Sequence, residues 1–152
     1  GHLVFSTLHP NDAIGAVARL LNMKVGPYLL APALRAVVAQ RLVRRLCEAC
    51  REEHVPTAAE VATLRQTPEG TFFEGKGCES CSNTGYSGRL ALYEVLSISP
   101  AVAEMIIRQA STEELRRTAR SEGMTSLSED GLEKARKGLT SLEEVIRITV
   151  AE

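Results

Sequence analysis

The 152-residue chain has no tryptophan, and three phenylalanines with three tyrosines bring aromatics to only 4%. Any core must therefore be built from Leu, Val, Ile and Ala, and a 44% hydrophobic content is enough to build one. An excess of one charge is missing too. The 18 Lys and Arg stand against 19 Asp and Glu, a net of −1, so no global field draws the chain to nucleic acid or an anionic membrane. No apolar run approaches the roughly 20 residues a membrane span requires. No charged-then-apolar leader with a cleavage site opens the chain, so export is not expected. Catalytic signatures are absent as well: no G-x4-G-K-[ST] loop, no nucleophile beside a base, no paired-carboxylate pattern. By itself this chain does not read as an enzyme.

The length suits one ordinary domain or two small lobes. The opening, GHLVFSTLHP, lacks an initiator Met and starts inside an apolar run, so the chain is read as a fragment of a longer protein. Residues 3–8 (LVFSTL) are expected to form a buried strand. Asn11 or Asp12 then caps a helix carrying Ile14, Val17, Leu20 and Leu21, which Gly26-Pro27 ends. A second helix is expected from about Pro32, with Leu34, Val37 and Val38 on one side. The run AQRLVRRLC is ambiguous between helix and strand, whereas RLALYEVLSI (89–98) reads as a strand and would pair antiparallel with 41–47 if that is one. From Ser99 onward the punctuation is helical. Pro100 follows a Ser99 cap. Ser111 with Glu114, Ser126 with Glu129 and Thr140 with Glu143 fit the capping box, and Gly123 and Gly138 fit helix C-termini. Four short helices forming a small bundle are expected over 100–151.

All four cysteines fall in two C-x2-C pairs, Cys47 with Cys50 and Cys78 with Cys81, with 27 residues between the pairs. In a reducing compartment such pairs read as metal sites before disulfides. Four thiolates suit a tetrahedral zinc ion, each pair supplying one edge. Reduced thiols, a redox C-x2-C or an iron–sulfur cluster are the alternatives. The ion would be structural, because four cysteines close the shell that a catalytic zinc keeps open. It would also staple a 47–81 excursion too long to stand as a bare loop. His54 is a possible fifth ligand but reads as a surface residue. Arg41, Arg44, Arg45 and Arg51 crowd the module's edge and raise a zinc ribbon that binds nucleic acid. Without interleaved aromatics or a basic balance, a charged strand is the better reading.

His2 and His9 flank the apolar run, and His9 lies where an open α/β sheet places its ligands. A histidine there can sense a phosphate near neutral pH, although lone histidines are more often structural.

Four blocks, GHLVFSTLHPNDAIGAVARLLNM, VVAQRLVRRLCEAC, GCESCSNTGYSGRLALYEVL and GMTSLSEDGLEKARKGLTSLEEVIRIT, span essentially the whole chain. Together they resemble the carboxyl-terminal part of the type II secretion and type IV pilus assembly ATPases. The resemblance implies an α/β fold: part of a RecA-like P-loop core with an inserted tetracysteine zinc module and a C-terminal helical bundle. It divides the chain into core (1–46), zinc module (47–81), returning strand (82–98) and helical subdomain (99–152). It implies Cys47, Cys50, Cys78 and Cys81 as zinc ligands, a module that assembly members carry and the retraction ATPases lack. It implies His2 and His9, the His box, near the ATP γ-phosphate, and Arg89 and Tyr86 near the nucleotide base. Pro10 departs from the family's usual Thr and removes an amide at that turn.

The whole protein, by the same resemblance, is a cytoplasmic homohexamer using ATP and Mg2+. It sits peripherally at the inner membrane through a platform protein, without direct nucleic-acid binding. The Walker lysine and carboxylate, acidic box and arginine fingers belong upstream of residue 1, so residues 1–152 alone are expected to be inactive. A stand-alone zinc-ribbon module for nucleic acid or protein, and a non-hydrolysing scaffold paralogue, are the competing readings.

Overall fold

Helix α1 (Ala13–Asn22) starts where Asp12 turns its carboxylate onto the Gly15 N–H, and buries Ile14 and Val17. The computed structural model describes residues 2–64 and 69–149. Residue 1, residues 65–68 of the expected zinc module and residues 150–152 of the expected helical subdomain lie outside the described residues. Helix α1 closes with Lys24 in the left-handed region (φ 63°), the Val25 N–H returning to the Leu20 carbonyl. Lysine thus stands where this terminator usually has glycine.

Three expectations are corrected here. Residues 3–8 form no strand: Phe5 is 89% exposed, and neither sheet among the described residues includes this run. An apolar run has no fixed strand geometry until a neighbour takes its N–H and C=O groups. Gly26-Pro27 begins a helix rather than ending one. Helix α2 (Pro27–Ala33) carries Pro27 at its first position, where a missing N–H is no loss. The helix expected from Pro32 is instead strand β1 (Ala36–Leu46). Its β-branched Val37 and Val38 suit a pleat, and pairing with strand β4 (Tyr86–Ser97) settles the ambiguity. The Ile98 N–H bonds the Arg35 carbonyl and the Cys47 N–H bonds that of Gly85, so β1 and β4 run antiparallel.

The chain forms two compact units, residues 1–39 with 94–125 and residues 40–93 with 126–152. The first adds helices α4 (Pro100–Ile107) and α5 (Thr112–Ser121), opened by a Ser99 cap and a Ser111–Glu114 capping box. Ile14, Val17, Leu30, Leu96, Val102, Ile106 and Leu115 form its aliphatic core. Buried Glu94 accepts the Ala13 N–H at 2.8 Å, giving an otherwise unpartnered helix donor an acceptor from β4.

The second unit holds strands β2 (Arg51–His54) and β3 (Phe72–Gly75), antiparallel with Arg51 opposite Gly75, and helices α3 (Ala58–Leu64), α6 (Leu127–Arg136) and α7 (Leu142–Thr149). Fully buried Phe72 packs with Leu132, Ala135, Leu142 and Val145. Two side chains of α6 occupy backbone groups of β4: Asp130 accepts the Tyr93 N–H, and Lys134 donates to the Ala91 carbonyl, both at 2.8 Å. This satisfies edge groups that another strand would otherwise pair with. The four C-terminal helices are thus shared, two to each unit.

The expected Thr140–Glu143 capping box does not form. The Thr140 hydroxyl donates to the Arg44 carbonyl at 2.8 Å, and Ser141 takes the cap, accepting the Glu144 N–H at 3.3 Å. Glu144 is wholly buried, yet it accepts the Arg44 backbone N–H, the Arg44 guanidinium and two Arg147 donors, all at 2.8 Å. Burial pushes this carboxyl up, but Arg147 and Arg44 outweigh burial and hold it at about 2. A carboxyl held below its unfolded value contributes stability that is complete above pH ~4.3 and is lost as pH falls toward 2. Denaturant melts between pH 5 and 2 should show a loss of about 1–2 kcal/mol from this group, discounted for the solvent-exposed ends of both arginines. Glu144→Gln should be less stable at pH 7 and should lack that part of the slope.

Candidate metal centre

Cys47 lies at the end of β1 and Cys50 just before β2, joined by a turn in which the Cys50 N–H meets the Cys47 carbonyl. Cys78 and Cys81 bracket a single 3-10 turn, Glu79–Cys81. Backbone bonds bring the two knuckles together: Cys47 N–H to Gly85 at 3.0 Å and Lys76 N–H to Cys50 at 3.1 Å. The approach is so close that a Cβ on Gly85 would stand 2.4 Å from the Gly75 carbonyl oxygen, and one on Gly75 would stand 2.1 Å from that of Gly85. Only glycine fits at this crossing.

The four sulfurs lie within 4.8 Å of one another and could hold a metal ion. Cys47–Cys78, Cys50–Cys81 and Cys78–Cys81 are each separated by 3.8 Å. A tetrahedron with metal–sulfur bonds of about 2.3 Å has edges of about 3.8 Å, whereas a disulfide requires about 2.05 Å. Cys81 Sγ accepts the N–H groups of Cys78 and Gly85, each at 3.2 Å. Burial raises its pKa, but these donors together with hydrogen bonds to the Cys78 and Cys50 sulfurs outweigh burial and bring the thiol down to about 6. Burial pushes Cys50 up to about 12. A cation among the sulfurs would favour the ionised form of the set. His54 is not among the four clustered ligands and lies partly buried, with Nε2 2.9 Å from Glu60 and Nδ1 3.6 Å from Glu74.

The other expected site residues are not gathered in this way. His9 lines an open groove of about 770 Å3 in the first unit, with Thr7, Asn11, Asp12, Arg19 and Met23. His2 is exposed and outside that lining. In the second unit Arg89 is exposed on β4, while Tyr86 lies with its ring 4.0 Å beneath the Arg44 guanidinium and its hydroxyl 2.8 Å from Ser141. The remaining arginines of the module's edge are also engaged. Arg45 pairs with Glu48, Arg51 donates to the Gly138 carbonyl at 3.1 Å, and Arg41 has an interaction of its own.

Residues 1–147 match the family model described as Type II/IV secretion system protein. The chain belongs to this family. It is 45% identical to the type IV pilus assembly ATPase PilB of Myxococcus xanthus, covering 100% of this chain and 28% of that protein. It is 42% identical to the type II secretion system protein E of Pseudomonas aeruginosa, over 100% of this chain and 30% of the relative. PilB of Thermus thermophilus is also 42% identical, over 99% of this chain and 17% of that protein. This secretion-family chain therefore spans less than a third of each of these relatives. A mixed α/β chain with small sheets fits such a family.

The secretion-family sequence carries two features that pattern reading misses. Gly70–Gly77 (GTFFEGKG) comes within one residue of a phosphate-loop signature, but β3 occupies it and a cysteine knuckle, not a helix, follows. The buried carboxylates Glu94 and Glu144 are the second; their only local signal is a charge inside an otherwise apolar strand or helix face. Among the described residues no helix is long and apolar enough to cross a membrane.

Purified chain should carry one divalent ion per molecule by elemental analysis, and chelation should remove a cooperative part of its thermal melt. Cys78→Ser should abolish binding. Gly85→Ala should lower the melting temperature by several degrees or more, because a backbone carbonyl cannot step aside as a side chain can. Metal-free protein with an unchanged melt would remove the staple from this account.

Proposed function

We propose that this chain is the C-terminal part of a hexameric motor ATPase that powers assembly of pilin or pseudopilin fibres, in type IV pilus biogenesis or type II secretion. One observation carries the reading: whole-chain identity of 42–45% to relatives named type IV pilus assembly ATPase and type II secretion system protein E. The two names recur at similar identity, so the reading covers both systems. The tetracysteine cluster supports an assembly or secretion member over a retraction ATPase.

In this proposal residues 1–46 and 82–98 belong to a RecA-like core, 47–81 to the metal module and 99–152 to a helical subdomain. Cys47, Cys50, Cys78 and Cys81 hold Zn2+, whose closed four-sulfur shell makes it a staple and not a reagent. ATP and Mg2+ bind the whole protein. His9, and with it His2, faces the γ-phosphate, where a protonated ring or an N–H donor stabilises charge developing on the transferring group. Arg89 and Tyr86 lie toward the base, and for Tyr86 this requires release of its ring from Arg44. The assembled motor is cytoplasmic and meets the inner membrane through a platform protein.

The stand-alone zinc ribbon is the second reading, and the pairing of Arg44, Arg45 and Arg51 within the chain weighs against it. Nucleic acid would have to compete with Glu144, Glu48 and the Gly138 carbonyl for those side chains.

The test compares the intact gene product with residues 1–152. Hydrolysis of ATP by the intact protein and none by the shorter piece is expected. His9→Ala should lower kcat of the intact protein by roughly 10- to 100-fold. Nucleotide binding without hydrolysis would favour a scaffold, and tight, salt-dependent binding of oligonucleotides by residues 1–152 would favour the zinc ribbon.

A further inference from the structure

The first turn of α1 is gripped from two other elements. Asp12 Oδ1 accepts the Gly15 N–H, as a cap should, while Oδ2 accepts the Arg116 guanidinium of α5 at 2.6 Å. Glu94, on β4, accepts the Ala13 N–H. The chain folds back close to α1: a Cβ on Gly15 would make ordinary contact with Pro10 Cβ at 3.7 Å and would crowd Asp12 Oδ1 at 2.9 Å. The turn Pro10-Asn11-Asp12 therefore lies against the helix start, stiffened by proline and clamped by α5. Immediately before it is His9, exposed at the groove, at the end of a run that forms no helix or strand from residue 2 onward.

We infer that Arg116 is a positioning residue for His9, acting through the Asp12 carboxylate. The inference rests on the proposal that His9 faces a transferring phosphate. A cap needs only one carboxylate oxygen, and asparagine supplies it equally well. The second oxygen and the charge are what Arg116 uses. The ion pair joins residues 104 apart in sequence, so any movement of α5 reaches the His9 turn directly. Both side chains are only partly buried, so the pair adds little to overall stability and its loss should leave the fold in place. A small displacement of a group beside a reacting phosphate, by contrast, has a large effect on rate.

The experiment uses the intact gene product, with Arg116→Gln, Arg116→Lys, Asp12→Asn, the double variant Asp12→Asn/Arg116→Gln, and Arg117→Gln as an exposed control on the same helix. Arg116→Gln and Asp12→Asn should each lower kcat about five- to tenfold with KM for ATP within about twofold, and the double variant should be no worse than either. Arg116→Lys should recover part of the loss, and Arg117→Gln should match the parent. Amide exchange over residues 9–16 should speed up in the same variants, at an unchanged melting temperature. A kcat for Arg116→Gln equal to that of Arg117→Gln overturns the inference. So does a loss that follows a lowered melting temperature or that multiplies in the double variant. Should the intact protein not hydrolyse ATP, the motor proposal fails. The exchange measurement then still decides whether Arg116 holds this turn: unchanged protection overturns that too.

Discussion

Four sulfurs gathered within 4.8 Å set the terms for the second unit. Thiolates that close repel one another, and a cation among them would offset that repulsion. Among its described residues, the long excursion between β1 and β4 has two four-residue strands, one seven-residue helix and a 3-10 turn of its own, and a single fully buried aromatic, Phe72. Such a segment buries too little to order itself. It is held at its two ends, where the knuckles meet and where Gly75 and Gly85 let the backbones touch, and by Phe72 packed against α6 and α7. Any side chain at that crossing would push the sulfurs apart.

From the knuckles the constraint passes into the α6–α7 turn. The Leu46 N–H bonds the Leu139 carbonyl, Thr140 donates to Arg44, and Arg51 donates to Gly138. Glu144 then closes the same corner by gathering Arg44 and Arg147 around a buried carboxylate. A charge so placed is tolerable only because every acceptor site facing the protein is used. The first unit relies on a similar device on a smaller scale, with Glu94 and Asp12 satisfying the start of α1. In both units a carboxylate from one segment completes the backbone of another, and the chain's aliphatic core can do the rest without large rings.

Much of this was legible beforehand. A cap from Asn11 or Asp12, the Ser99, Ser111 and Ser126 caps, the left-handed Gly123 and Gly138, the β4 strand and the four clustered cysteines all follow from residue type and spacing. These are local matters: a hydroxyl meets an N–H three residues on, and a C-x2-C turn presents two sulfurs whatever surrounds it. The errors lie where a distant partner decides. Val37 and Val38 fit a helix by periodicity and a strand by branching, and only β4 resolves the choice. LVFSTL has the composition of a strand but no neighbour among the described residues. Thr140 satisfies the capping-box pattern, yet its hydroxyl is drawn off by Arg44, nearly a hundred residues away.

The sequence by itself determined the family, the helix starts and stops, the candidate ligand set and the absence of a complete phosphate loop. Each depends on residues close together in the chain or on motifs that survive without their surroundings. Tertiary structure alone decided that the sulfurs stand a tetrahedral edge apart, that His54 turns to Glu60, and that Arg44 and Arg51 reach Glu144 and the Gly138 carbonyl. It also decided that Arg116 reaches Asp12. These are pairings between segments, and nothing in a local pattern fixes which of many similar charges will meet.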